Sequence, residues 1–493
     1  MEELSLSDTP IPEKKKIRWP KFVELLHNFE KNFAQNRPKS AIKNKESFEN
    51  DVLNLFFAET SKYDYFFDLQ DCEGNEELFK SRVAQILNKL LYPVDPIKPS
   101  QLHAVRISSA LTNVVFQITL DYPPMWVPAV PRPPLIEDVT TSGSFIPSSV
   151  LPENYILRVY GIGIDQVIDR NNELYWLNVL GKLGIGARVF GLFQNGRLEE
   201  YLCNRSLNKD DIRNPEISSK IASRMCELHK LVDFIPAEDR SLHTSVGTFR
   251  SNSTSPAIPP ALQKKTPYPE IWVNIDNWIS LANSKMDQIR ELCGSNPDHL
   301  SLLDRFPDIS VFIKKYRNLA ECHHNYPVVL AHNDFQYGNI LELKKTKELV
   351  AVDYEYAGYN YRGAEIANHF TEWMADYSSE VPHSLIDANF PTLEQRYHFY
   401  KSYIQTNDHL NQSISELYPN YSHLGGKKGN ATLEIKLEEM DKEVLFFVPI
   451  IHLQWGVWGL IQACISSIDF NYLVYGIQRI NRFLEFSQKQ FAI

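Results

Sequence analysis

The chain has 493 residues, with 51 Lys+Arg against 61 Asp+Glu and a formal charge of −10. That length calls for two or three domains or one large two-lobed enzyme. An acidic chain lacks the cationic surface that a phosphate backbone needs, so nucleic acid is not an expected partner. Hydrophobic residues at 43% and charged residues at 23% are ordinary globular usage, which excludes disorder over the whole chain.

The N-terminal stretch MEELSLSDTP has acidic residues and no apolar core of a secretory signal. Residues 1–75 are polar and uneven and read as a partly disordered extension. Regular patterning starts at Glu77–Leu91, where Leu78, Val83, Ile86, Leu87, Leu90 and Leu91 recur at helical spacing before Pro93 and Pro96 stop the helix. His103–Leu120 reads as strand, small-residue turn and strand, and the proline-rich run 121–152 as a surface insertion. A strand at Asn154–Tyr160, a helix at Asp169–Leu183 and strands at Val189–Phe193 and Leu198–Cys203 around Asn195-Gly196 complete a β-rich lobe. Beyond Asn204 the pattern turns helical, with loops expected at 234–269 and 405–434. Six cysteines, Cys72, Cys203, Cys226, Cys293, Cys322 and Cys464, form no C-x-x-C pair, which argues for a reducing, cytoplasmic setting. Val444–Ile468 is long and apolar enough to test as a membrane span, but Pro449, His452, Gln454 and Gln462 would be costly in lipid. The expectation is a buried core helix and no stable span.

The segment AHNDFQYGNIL, Ala331–Leu341, sets His332, Asp334 and Asn339 at the spacing H-x-D-x-x-x-x-N. Phosphoryl transfer uses that set: an Asp takes the proton of the attacking hydroxyl, and the Asn holds a magnesium ion on the nucleotide phosphates. A second metal carboxylate is needed after a short hairpin. Ile340–Leu343 and Glu348–Val352 read as its strands around Lys344–Lys347, and Asp353 follows. Asp334 is therefore the expected catalytic base, with Asn339 and Asp353 as magnesium ligands and ATP as co-substrate. On the nucleotide side, Ser108, Ser109, Ala110, Leu111, Thr112 and Asn113 form the small-residue run over the phosphates. Arg158 is the expected phosphate-binding cation, and Glu173 its carboxylate partner. The same residue types also occur as a capping Asp, a strand-end Asp and a surface Arg in unrelated folds.

These motifs are specific enough to name a resemblance. The chain resembles the choline/ethanolamine kinase family in HNDFQYGNIL, in VDYEYAGYNYRGAEIANHFTEW (Val352–Trp373), and in ISSALTN, YILRVYG, GRLEEYL and WGVWGLIQACISSIDFNY. The resemblance implies an α+β, protein-kinase-like two-lobed fold. Its nucleotide-binding lobe spans 76–203 and its larger, mainly helical lobe for catalysis and amine binding spans 204–493. It implies transfer of the γ-phosphate of ATP to the hydroxyl of choline, the first step of the CDP-choline route to phosphatidylcholine, with ethanolamine as the alternative acceptor. It further implies Mg²⁺ as cofactor and a homodimer as candidate assembly. The amine pocket would consist of Asp334, Tyr356, Glu372, Tyr377, Trp455, Trp458, Phe470 and Tyr475. Aromatic faces suit a quaternary ammonium, which cannot donate a hydrogen bond; simple core packing is the alternative use of the same stripe. Glu365 stands where the family usually has Asp, and Ser109 where Gly is common. Arg362 and Trp373 lean toward the choline-using branch.

Overall fold

The computed structural model describes residues 62–93, 95–107, 113–121, 153–160, 169–182, 185–231, 268–324, 326–417, 431–466 and 468–491. The nucleotide-loop residues Ser108, Ser109, Ala110, Leu111 and Thr112, the 121–152 insertion beyond Asp121 and most of the 234–269 loop lie outside them.

The first lobe is built on six strands: β1 (Lys62–Tyr63), β2 (Leu102–Ile107), β3 (Asn113–Leu120), β4 (Asn154–Tyr160), β5 (Val189–Phe193) and β6 (Gly196–Glu200). Their spatial order is β1-β5-β6-β4-β3-β2, antiparallel except where β1 joins β5 in parallel. One face is covered by α1 (Glu76–Leu90), whose N-cap Asn75 accepts a bond from the Leu78 N–H. Val83, Ile86, Leu87 and Leu90 recur at helical spacing and bury against Leu157 and Leu198 of the sheet. The lobe starts earlier than the helical periodicity suggested. Lys62–Tyr63 adds an edge strand and Phe67 enters the same core, a long-range pairing that two residues of strand cannot announce in a sequence.

The helix α2 (Arg170–Lys182) belongs to both lobes, because Trp176, Leu177 and Leu180 bury into the core of the second. That core gathers α3 (Pro215–Lys230), α4 (Glu270–Ser284), α5 (Met286–Cys293), α6 (Pro297–Asp304) and α7 (Phe306–Asn318). It continues through α8 (Arg362–Glu372), α9 (Leu393–Leu417), α10 (Leu433–Ile465) and α11 (Tyr472–Phe491). Two small sheets carry the chemistry: β7 (Asn204–Ser206), β9 (Ile340–Leu343) and β10 (Leu349–Ala351) form one, in the order β10-β9-β7, and β8 (Val328–Ala331) with β11 (Gly358–Tyr361) the other. The polar run expected to loop from Gln405 is helical as far as Leu417, since Tyr403, Ile404 and Leu410 lie at helical spacing and are buried.

Among the described residues one helix, α10, is long and apolar enough to cross a membrane, and it is buried continuously from Phe446 to Gln462. It packs tightly on α11: a Cβ on Gly476 would stand 2.7 Å from the Gly456 carbonyl oxygen, and one on Gly459 would stand 2.9 Å from the Tyr475 ring. The glycines let the two helix backbones approach. This crossing brings aromatic side chains of both helices beside the end of α8.

Candidate active site

The hairpin β9–β10 connects the two halves of the catalytic segment. Its strands pair in register Ile340 to Ala351, Leu341 to Val350 and Glu342 to Leu349. The backbone is strained on both sides, with Asn333 at φ 65° and Asp353 at φ 67°, a region that costs a non-glycine residue energy. Several bonds hold these turns. The Asn333 N–H donates to the Glu365 carboxylate at 3.0 Å, its amide donates to the Tyr356 carbonyl at 2.8 Å, and the Asn360 amide donates to its Oδ1 at 2.7 Å. Buried His332 spans the gap. Its Nε2 donates to the Val352 carbonyl at 2.8 Å, and its Nδ1 accepts from the Asp334 N–H at 3.3 Å. Burial lowers its pKa to about 4, so a neutral imidazole ties the Asp334 loop to the residue before Asp353.

The Asn339 amide donates to the Asp334 backbone carbonyl at 3.0 Å and to its carboxylate at 2.8 Å. That leaves the amide oxygen of Asn339 as the atom able to ligate a cation. Burial, followed by the charges of Glu372 and Asp353, pushes the Asp334 carboxyl well above its ordinary range. A raised proton affinity suits a group that must take a proton from a hydroxyl. For Asp353 the balance is opposite: burial would raise it, but the Arg158 and Arg197 charges win and hold it low. One of its carboxylate oxygens lies with one each from Glu173 and Glu355 in a group of three atoms within 4.8 Å of one another. Three carboxylates that close favour a bound cation.

The basic side differs from expectation. Glu173 does not pair with Arg158; its oxygens lie 2.7 Å from Arg197 and 2.6 Å from Arg170. Arg158 instead donates to Glu199 and to Asp353, each at 3.2 Å. The sheet register gives the reason. Arg158 on β4 faces Arg197 on β6 directly, and like charges opposite each other need an anion between them. Glu199, two residues along the same face, supplies it by accepting from both guanidinium groups. Arg197 and Glu199 are the residues that sequence reasoning missed here; the alternation Arg197, Glu199 within GRLEE was their only local signal. Asn113, the one described residue of the nucleotide run, begins β3 and accepts from Arg170 at 3.3 Å.

Beside Asp334 lies a cavity open to solvent. It collects every residue expected for the amine: Asp334, Tyr356, Glu372, Tyr377, Trp455, Trp458, Phe470 and Tyr475. Asn339 and Asp353 line it too, as do Gln336, Glu355 and Tyr472, which were not anticipated. The rings form a continuous wall. Trp455 stands edge-on to Tyr356 at 5.4 Å and to Trp458 at 5.5 Å, and Phe470 stands edge-on to Tyr475 at 5.7 Å. Their polar tips are engaged: the Trp458 indole N–H donates to the Tyr356 hydroxyl at 3.0 Å, and that of Trp455 to the Asn368 side chain at 2.7 Å. Asn368 in turn reaches the Asn333 carbonyl at 3.4 Å, linking the aromatic wall to the catalytic turn. Arg362 and Trp373 do not line the cavity; Arg362 pairs with Glu443 on α10 and Trp373 is buried.

The model of the family described as choline/ethanolamine kinase matches residues 104–484. The chain belongs to the choline/ethanolamine kinase family. It is a kinase that transfers phosphate to an alcohol, with ATP as co-substrate. A probable choline kinase of Arabidopsis thaliana is 29% identical over 389 residues, covering 79% of this chain and 87% of that protein. A human choline/ethanolamine kinase is 27% identical, covering 79% and 81%. Among solved structures, a Plasmodium vivax ethanolamine kinase superposes with a TM-score of 0.56 at 21% identity, covering 91% of this chain and 97% of that one. A choline kinase from Cryptosporidium parvum Iowa II gives a TM-score of 0.55 at 20% identity, covering 83% and 96%. The two-lobed, protein-kinase-like fold agrees with this membership.

Proposed function

We propose that this kinase phosphorylates the hydroxyl of choline, that Asp334 is its catalytic base, and that magnesium is its metal. The observation that carries the reading is one cavity that joins Asp334 to a wall of aromatic rings and the Glu372 carboxylate. A quaternary ammonium held against two or three such faces gains roughly 0.5–2 kcal/mol from each, which orients its hydroxyl toward the carboxylate of Asp334. Arg158 and Asn113 supply charge and a polar edge on the nucleotide side, and Ser108–Thr112 are assigned to the phosphates by sequence. Asn339, Asp353 and Glu355 fit a hard divalent cation, since all three offer oxygen and the clustered carboxylates repel one another without it. When bound, the ion would neutralise charge on the nucleotide phosphates. Helix α10 is read as a core helix of a cytoplasmic enzyme, because its apolar surface is covered by α8, α4 and α11.

Ethanolamine is the second reading, since the carboxylates that line the cavity would also attract a primary ammonium. A coupled ADP-release assay with choline, ethanolamine and an aminoglycoside decides among acceptors. Turnover with choline at the highest kcat/KM is the expected result; turnover only with the aminoglycoside, or with none of the three, would overturn the assignment.

A further inference from the structure

We propose that Arg479, which does not touch the cavity, is a positioning residue that sets the preference for a methylated over a primary ammonium by occupying Glu372. This inference rests on the amine-kinase reading above and names the substrate class of that same site.

Arg479 lies on α11, fully buried, and donates to Glu372 Oε1 at 2.9 Å. Its guanidinium carbon sits 4.6 Å from the centroid of the Tyr475 ring. The other carboxylate oxygen, Oε2, accepts from the Tyr377 hydroxyl at 2.7 Å. Glu372, Tyr377 and Tyr475 all line the cavity, whereas Arg479 does not. Glu372 is thus already charge-balanced from behind and accepts a hydrogen bond on each oxygen before any substrate arrives.

The two candidate cations respond differently. A primary ammonium carries three N–H donors and is strongly hydrated, so entering the cavity requires directed acceptors to replace the lost water. Trp458 already takes one acceptor site of the Tyr356 hydroxyl, and Arg479 and Tyr377 take one on each oxygen of Glu372, which leaves fewer for an ammonium. An ammonium donor left unpaired in the cavity carries a desolvation cost. A quaternary ammonium has no donor to satisfy and is held by ring faces alone. An acid balanced by a buried arginine therefore penalises the primary ion and leaves the methylated one nearly unaffected. Asp334, Asp353 and Glu355 line the same cavity and attract either cation by charge, but they are the same in every variant compared, so a change in the ratio on substituting Arg479 reads Glu372.

The test measures kcat/KM for choline, N,N-dimethylethanolamine, N-methylethanolamine and ethanolamine in the full-length wild type and in Arg479→Met, Arg479→Lys and Tyr377→Phe, with KM for ATP as the control for folding. Wild type should gain with each methyl. Arg479→Met, which keeps the volume and removes the charge, should lower the choline-to-ethanolamine ratio about tenfold or more by freeing one oxygen of Glu372. Arg479→Lys should retain most of the preference, and KM for ATP should hold in all three. If Arg479→Met does not fold, Tyr377→Phe frees the other oxygen from the cavity side and should move the ratio in the same direction. Wild type that prefers ethanolamine, or a ratio unmoved in both Arg479→Met and Tyr377→Phe, overturns the role of Arg479 while the kinase reading stands. A wild type that phosphorylates none of the amines defeats both.

Discussion

Glu365 offers a test of the catalytic turn that can be read without any substrate. Its side chain is 1% exposed, Oε2 accepts the Asn333 N–H at 3.0 Å, and Oε1 makes no hydrogen bond among the described residues. Burial raises its pKa from 4.5 to about 7, against the opposing backbone bonds from Asn333 and His332. In the unfolded chain the carboxyl ionises near 4.5; in the folded chain it holds its proton to about 7. The stabilisation is thus complete below 4.5 and is lost as pH rises to about 7, after which the curve is flat. At about 1.4 kcal/mol per pH unit, the loss across that window is about 3 kcal/mol. Glu365→Gln keeps an oxygen for the Asn333 N–H and cannot ionise, so its stability relative to wild type should rise by about that amount between pH 4.5 and 7.5. A buried amide N–H₂ facing the vacancy at Oε1 adds a constant offset that does not depend on pH. Denaturant unfolding followed by tryptophan fluorescence at several pH values measures the difference. A difference that stays constant within about 0.5 kcal/mol from pH 4.5 to 7.5 would refute the reasoning.

Three further outcomes are expected. Asp334→Asn should retain the fold, with Tm unchanged or higher because a partly desolvated carboxylate beside Glu372 and Asp353 is removed, while kcat drops by about 10³-fold in the ADP-release assay. Trp458→Leu should raise KM for choline about tenfold and leave KM for ATP in place, since it removes a ring from the amine wall and the donor to the Tyr356 hydroxyl. Gly476→Ala should cost about 1–3 kcal/mol in unfolding free energy, because the added methyl meets the Gly456 carbonyl and pushes α11 off α10. In that variant the loss of choline affinity should exceed the loss of ATP affinity, as Tyr475 moves with the helix.

The meeting of Asp334, Asn339 and Asp353 in space was legible because it is local. The positions Asp334, Asn339 and Asp353 lie within one loop and one hairpin, so their spacing in the chain already implied their meeting in space. The aromatic wall was readable only through resemblance, since a stripe of Trp455, Trp458 and Tyr475 has the same periodicity whether it packs a core or faces a cavity. The Arg158–Glu173 pairing was misread for a definite reason. Helix and strand order suggested the pair, but the face-to-face register of Arg158 with Arg197 gives the anion between them to Glu199, and Glu173 goes to Arg197.

The sequence by itself determined the catalytic segment, the division into a β-rich and a helical part, and the apolar character of α10. Only the tertiary structure decided what that helix faces, how early the first sheet begins, and which charges share a site. Those outcomes rest on contacts between residues far apart in the chain, such as Arg479 with Glu372 across 107 positions. Local propensity and spacing carry no information about such pairs; burial and electrostatic balance in the folded molecule select them.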